Sequence, residues 1–324
     1  MANKNLNKKN ENAEEIVSLM RYTTLGELIK MIRLGGIPLY NTERWEDRCD
    51  AAFVERGVRE MNKPKTVERY GVMCFMGQTR KEKEEEKKEE EKEKEADDKI
   101  QYSYSPSETI HHWKCYANGK ERAGEGVGIK IGFNPCALLN EFLQKNYDDK
   151  NSLTKDLEKS DVLSKKGRIF GKMKYGTISE IQERLKEGKS ENFFFTKRNA
   201  FKDEREYRLV QYKEEAEPIC EHCQNWMRVL GISGFIPVDD WEKWIDRIVF
   251  SPFSDKELIE KLRQESETKE KFGLTSEEAK TFQQLISSNG KKSYRSGILD
   301  NKRLLNLASN KSKNKENKKK GKSK

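Results

Sequence analysis

The 324-residue chain has no run of 18 apolar residues, so no segment of it reads as a membrane-spanning helix. Met1–Asn12 is polar and lacks the apolar stretch of a secretory signal, which points to a cytoplasmic protein. Cysteine is scarce, with six residues at 49, 74, 115, 136, 220 and 223. A chain this long with so few does not read as a disulfide scaffold, and a reducing compartment is expected. Histidine is scarcer still, with three residues at 111, 112 and 222. The adjacent His111 and His112 point about 100° apart on a helix and do not readily share one ion. Cys220 and Cys223 form a lone C-x-x-C with no second pair at zinc-finger spacing, so no metal is expected. A nucleophile elbow, a Walker loop and an H-E-x-x-H helix are all missing. Gly124–Gly128 is glycine-rich but leads into a strand, and so lacks the helix N-terminus that holds phosphate.

Apolar residues are also few. They make up 34% of the chain against 37% charged, where a compact domain carries about 25% charged residues. The surplus is local. Lys81–Glu95 consists of lysine and glutamate alone. Lys311–Lys324 holds eight lysines and one glutamate, a net charge of +7 out of the whole chain's +9. The basic balance therefore describes a tail and not a basic fold. Three regions are expected: a polar leader over 1–12, a core domain over 13–265 interrupted by a disordered charged insertion at 80–99, and a C-terminal helix with a disordered basic tail over 266–324. The tail can make weak, salt-dependent contact with nucleic acid, or simply solubilise the chain.

Within the core, Ile16–Tyr22 reads as an apolar strand. Thr24 and Glu27 have capping-box spacing, and Leu25, Leu28, Ile29 and Ile32 recur at helical period. Gly35 and Gly36 end that helix, and a strand over 37–40 follows. Further strands are expected over 70–76, 126–133, 170–175, 205–212 and 245–250. Helices are expected over 107–117, from Pro135 to Leu143, over 178–185 and from a capping box at Ser254 and Glu257. Thr275 and Glu278 cap one more helix, carrying Ala279, Phe282, Leu285 and Ile286. Strands and helices mix without a regular alternation, so the fold class is α+β, a single domain on a mixed sheet.

The residues that could carry chemistry are spread along this core. They are Arg21, Tyr22 and Thr23 at the end of the first strand; Trp45, Glu46 and Asp47 after the second; Cys74 and Phe75; Trp113, Tyr116 and Ala117; Gly128, Ile129, Ile131 and Phe133; and Glu204, Glu206, Tyr207 and Arg208. In this order they resemble the bacterial domain-of-unknown-function 2971 family, over roughly Ser18–Arg263. The family's usual serine, asparagine and proline are replaced here by Met76, Glu46 and Arg48. The resemblance implies a role in phage defence or abortive infection.

A Glu-x-Glu on a strand puts both carboxylates on one face. ADP-ribosyltransferases use such a pair, one glutamate at the nicotinamide ribose and one toward the acceptor, with a cation after the first core strand on the phosphates. The layout of Arg21, the following helix and Glu204/Glu206 is similar. It implies an ADP-ribosyltransferase-like core with NAD as cosubstrate, Glu204 or Glu206 as the catalytic carboxylate, and Arg21, Tyr22, Thr23, Tyr116 and Arg208 around the dinucleotide. Trp45, Glu46, Asp47 and Trp113 are further pocket candidates. Alternation of Glu204, Glu206 and Arg208 equally fits an exposed strand face with cross-strand ion pairs. Two functional readings stay open. One is a toxin-like defence effector modifying a macromolecule; the other is a non-catalytic module that recognises a phage-derived protein or a nucleotide. A metal-dependent nuclease built on Asp47, Glu204 and Glu206 is a third.

Overall fold

A computed structural model describes residues 16–43, 45, 48–62, 70–80, 84, 102–103, 110–117, 127–160, 162–212, 230–286 and 293–296. Most of the 80–99 insertion, the Cys220 and Cys223 pair, Ser107, the leader and the basic tail lie outside the described residues, as do Glu46 and Asp47.

The chain opens with β1 (Ile16–Thr24), α1 (Leu25–Leu34) and β2 (Gly36–Tyr40). Thr24 caps α1 by accepting from the Glu27 N–H at 3.4 Å. The reciprocal half of the expected capping box is absent, because the Glu27 carboxylate turns to Lys30 and Tyr40 instead. Gly35 ends the helix at φ 63°, a left-handed conformation that costs glycine little. Then come α2 (Arg48–Asn62), β3 (Tyr70–Thr79), β4 (Tyr102–Ser103), α3 (Ile110–Tyr116), β5 (Gly128–Phe133), α4 (Pro135–Leu143) and α5 (Lys150–Lys159). The next group is β6 (Val162–Lys165), β7 (Arg168–Lys172), β8 (Lys174–Gly176), α6 (Ile178–Lys186), α7 (Ser190–Phe194) and β9 (Thr196–Arg198). The strand expected over 170–175 is thus broken at Met173, and its second half pairs elsewhere, with β9. A 3-10 helix (Asn199–Glu204) leads into β10 (Glu206–Tyr212). The chain closes with β11 (Ile232–Pro237), α8 (Trp241–Trp244), β12 (Ile245–Phe250), α9 (Lys256–Leu262), α10 (Glu265–Phe272), α11 (Ser276–Ile286) and β13 (Ser293–Ser296). Asp255, and not Ser254, caps α9.

Among the described residues eleven strands form one sheet. Its path runs β4-β13-β12-β5-β1-β3-β10-β7-β6, with β2 branching from β3 and carrying β11. All pairs are antiparallel except those that β13 makes with β12 and β4. The fold is therefore mixed α and β around a large, mostly antiparallel sheet. Among the described residues no helix is long and apolar enough to cross a membrane.

Strand alternation divides the sheet's two faces. On one face Leu19, Ile131, Phe75 and Leu209 meet Leu28, Leu138 and Phe282 in the main core. On the other, Val72, Ile169 and Val210 meet Val54 and Val58 of α2 and Phe194 of α7, while Trp113 of α3 and Ala117 just after it cover Tyr22 and Val249. The core does not stop at Glu265. Ala279, Phe282, Leu285 and Ile286 are all fully buried in the main core, and β13 belongs to the sheet. The expected boundary there marks a thinning of apolar text, not the end of the fold.

Candidate functional site

The second face carries a buried cluster of charge. Arg208 on β10 is fully buried, and all five of its N–H donors are used. Nε donates to Glu206 Oε1 at 2.9 Å, and Nη1 donates to Asp50 Oδ1 at 3.0 Å and to the Phe194 carbonyl at 2.9 Å. Nη2 donates to Asp50 Oδ2 at 2.9 Å and to Glu206 Oε1 at 2.7 Å. The planar fork thus clamps Asp50 with two parallel bonds, the strong form of this pair. The Trp45 ring lies against the guanidinium, 5.1 Å from its centroid.

Lys197 on β9 is the second hub. Its ammonium donates to Glu204 Oε2 and Glu206 Oε2, both at 2.7 Å, and lies 3.5 Å from Asp50 Oδ2. In these contacts three carboxylates, Asp50, Glu204 and Glu206, face the two cations Lys197 and Arg208. The Phe201 ring sits 4.9 Å from the ammonium. Tyr116 donates to Glu204 Oε1, and the Tyr175 hydroxyl accepts the Glu206 backbone N–H at 2.8 Å.

Burial and charge compete at each group. Burial alone would raise the Glu206 carboxyl, but Arg208 and Lys197 outweigh it and bring it down to about 2. Burial would lower Lys197, yet Glu206, Asp50 and Glu204 hold its ammonium far above the ordinary lysine range. The Cys74 thiol is pushed up by burial and then by Glu206, so it stays neutral. Tyr116 is pushed up by burial and by its bond to Glu204.

The pair Glu204 and Glu206 does meet, but not by strand alternation. Glu204 ends the 3-10 helix, and Arg205 between them is left-handed at φ 43°. That turn, together with Lys197, brings the two carboxylates to one place. Nor is this an exposed face: Glu206 is 4% exposed and Arg208 0%. Of the three carboxylates Glu204 is the most exposed, its side chain at 14% against 5% for Asp50 and Glu206, and Tyr116 is 44% exposed beside it.

Several expected members stand apart. Arg21 pairs in register with Ile131, which places it and Thr23 on the main-core face, opposite the cluster. Its Nη1 donates to the Cys74 carbonyl at 3.1 Å. Tyr22 is on the cluster's face. It stacks on His112 at 5.3 Å, and His112 stacks on Tyr116 at 6.3 Å, so three rings run toward Glu204. Lys130 lies under Tyr22 at 5.8 Å. Trp113 is 1% exposed and packs its core edge-on against Tyr22. Glu46 and Asp47 lie outside the described residues. Asp50, Lys197 and Tyr175 went unmarked in the sequence, since nothing local distinguishes them from surface residues.

Among the described residues, no group of three or more His, Cys, Asp or Glu side chains is placed to hold a metal ion. Lys197 fills the space between Asp50, Glu204 and Glu206 where a cation would sit. For NAD the donor set fits in part. Carboxylates and rings suit the nicotinamide–ribose end, whereas Arg21 faces away and Arg208 has no donor left for a phosphate. No family model matches the chain, and neither a curated protein nor a solved structure matches it.

Proposed function

We propose that the chain is an effector of bacterial phage defence, toxin-like in action, that cleaves NAD at nicotinamide and passes ADP-ribose to a macromolecule. The observation that carries this reading is Glu204: it is the carboxylate of the cluster that reaches the surface, and the exposed Tyr116 is bonded to it. A carboxylate there can bind ribose hydroxyls and stabilise positive charge building on the sugar ring, as in glycosidic cleavage generally. Tyr116, the outermost of three stacked rings, offers a face for nicotinamide. Glu206, sealed beneath, holds the charge balance. The pyrophosphate grip expected of Arg21, and the place beside the dinucleotide expected of Arg208, are not part of this reading. An ADP-ribosyltransferase-like core is, because the glutamate pair sits at the start of β10, an interior strand of the sheet.

The resemblance to the domain-of-unknown-function 2971 family supports the defence role. The strand residues that carry it lie on β5, β1, β3 and β10, four adjacent strands. A cytoplasmic location, a phage-derived trigger and a weak nucleic-acid contact through Lys311–Lys324 belong to the same reading.

A second reading has its own observation. The Asp50–Arg208–Glu206–Lys197 network is internally satisfied, as a strut stiffening a recognition face would be. The chain would then bind a phage protein or nucleotide without chemistry. One experiment separates the two: purified protein is incubated with labelled NAD and bacterial lysate beside Glu204→Gln. Nicotinamide release and label transfer by the wild type alone support the effector. No release, with thermal stability unchanged by NAD, abandons it for the binding module.

A further inference from the structure

We infer that Lys197 is the positioning residue of this site: its ammonium makes Glu204 and Glu206 a pair and leaves Glu204 Oε1 turned outward to Tyr116. The inference rests on the reading of Glu204 as the reacting carboxylate. The geometry requires some such device. Glu204 and Glu206 belong to different elements and carry like charge, so without a cation between them they repel. Both reach Lys197 at 2.7 Å through their Oε2 atoms. Glu206 spends its other oxygen on Arg208, and Glu204 spends its other oxygen on Tyr116. Lys197 therefore decides which oxygen of Glu204 stays accessible. Arg208 cannot substitute, because every N–H it has is committed.

The groups that face the Lys197 ammonium are Asp50 from α2, Glu204 from the 3-10 helix, Glu206 from β10 and Cys74 from β3, with Arg208 and the hydroxyls of Tyr116 and Tyr175 behind them. Cys74 is neutral, so the attraction comes from the three carboxylates. A lysine so enclosed has ammonium protons that exchange slowly with water. Its side chain is 11% exposed, and Phe201 covers it.

The test begins with the wild type and nitrogen-detected NMR of lysine side chains. A slowly exchanging ammonium, with couplings across hydrogen bonds to the Glu204 and Glu206 carboxyl carbons, is expected. An ammonium exchanging like that of a surface lysine overturns the inference, whatever the variants do. In Lys197→Met, the Glu206 titration midpoint is expected to rise by about one pH unit or more. The kcat for nicotinamide release is expected to fall about 100-fold, the scale of a misplaced catalytic group, with KM little changed. Lys197→Arg should recover part of kcat. A folded Lys197→Met with wild-type kcat and an unmoved Glu206 midpoint overturns the proposal. If the wild type releases no nicotinamide, the proposed activity fails, and the ammonium and titration readouts alone decide the role of Lys197.

Discussion

Arg208 sits where one side chain answers for two others. With 0% exposure it neutralises Asp50 and Glu206, and its removal leaves both carboxylates buried beside Lys197 without their guanidinium. Breaking a buried pair in this way costs about 3–5 kcal/mol, more than the net worth of forming it. Arg208→Leu is accordingly expected to lose about that much in urea unfolding. A loss under about 1 kcal/mol, the range of surface ion pairs, would mean that water reaches the carboxylates. Acid makes a second test of the same cluster. Glu206 has an ordinary value near 4.5 and a folded value near 2. A depressed carboxyl adds stability in full above its unfolded value and loses it as pH falls through the folded one. The urea midpoint should therefore drop between about pH 5 and about pH 2, and the drop should be shallower in Glu206→Gln. Equal slopes in the two proteins would place the acid sensitivity elsewhere. At this scale the sequence was half legible. A Glu-x-Glu before an arginine flags itself in print. Asp50 does not, since it meets Arg208 across 158 positions. Lys197 is seven and nine positions from Glu204 and Glu206, but only the 3-10 turn between β9 and β10 folds it back onto them.

The elements that assemble the cluster depend on one glycine. Gly57 lies on the buried side of α2, and a methyl group there would sit 2.8 Å from the Phe194 ring of α7. The two helices bring Asp50 and the Phe194 carbonyl to the same guanidinium. Replacing a mid-helix glycine by alanine normally gains about 1 kcal/mol through propensity. Here the overlap is with a fully buried aromatic ring, and overpacking of this kind costs about 1–3 kcal/mol. Gly57→Ala is expected to be destabilising on balance, and to disturb the carboxyl signals of Asp50. A stabilised protein would show that α7 moves aside freely. Elements with their own hydrophobic period, such as α1 and β5, were readable one by one. α2 was harder to read: Ala51, Val54 and Val58 recur at helical spacing, but the charged residues between them dilute the stripe. The end of β7 was misjudged for a different reason. Phe170–Tyr175 carries strand formers only at its two ends, and the competing partner β9 explains why the chain changes sheets at Met173.

At the scale of the whole molecule, sequence order and spatial order part company. β12 lies beside β5, and β13 closes the sheet from beyond α11, so the last third of the chain completes a core begun by the first. The sequence showed the helix at Ser276–Ile286 with its buried residues but gave no reason to join it to the core, because intervening text rich in charge looks like a boundary. The packing decides otherwise. Phe282, Leu285 and Ile286 are fully buried against the same cluster as Leu28 and Ile248. Arg33 of α1 donates to the carbonyls of Phe272 and Gly273, tying the start of the fold to its end. Burying each large apolar side chain is worth about 1.5–3 kcal/mol. The three together approach the 5–15 kcal/mol or so that holds a domain folded. A chain truncated after Glu265 should therefore fail to fold cooperatively: its thermal transition should broaden, near-UV dichroism should vanish and an apolar dye should bind. A sharp transition in that truncated chain would mean that the sheet and its carboxylate cluster stand without α11, and that the helix is an appendage after all.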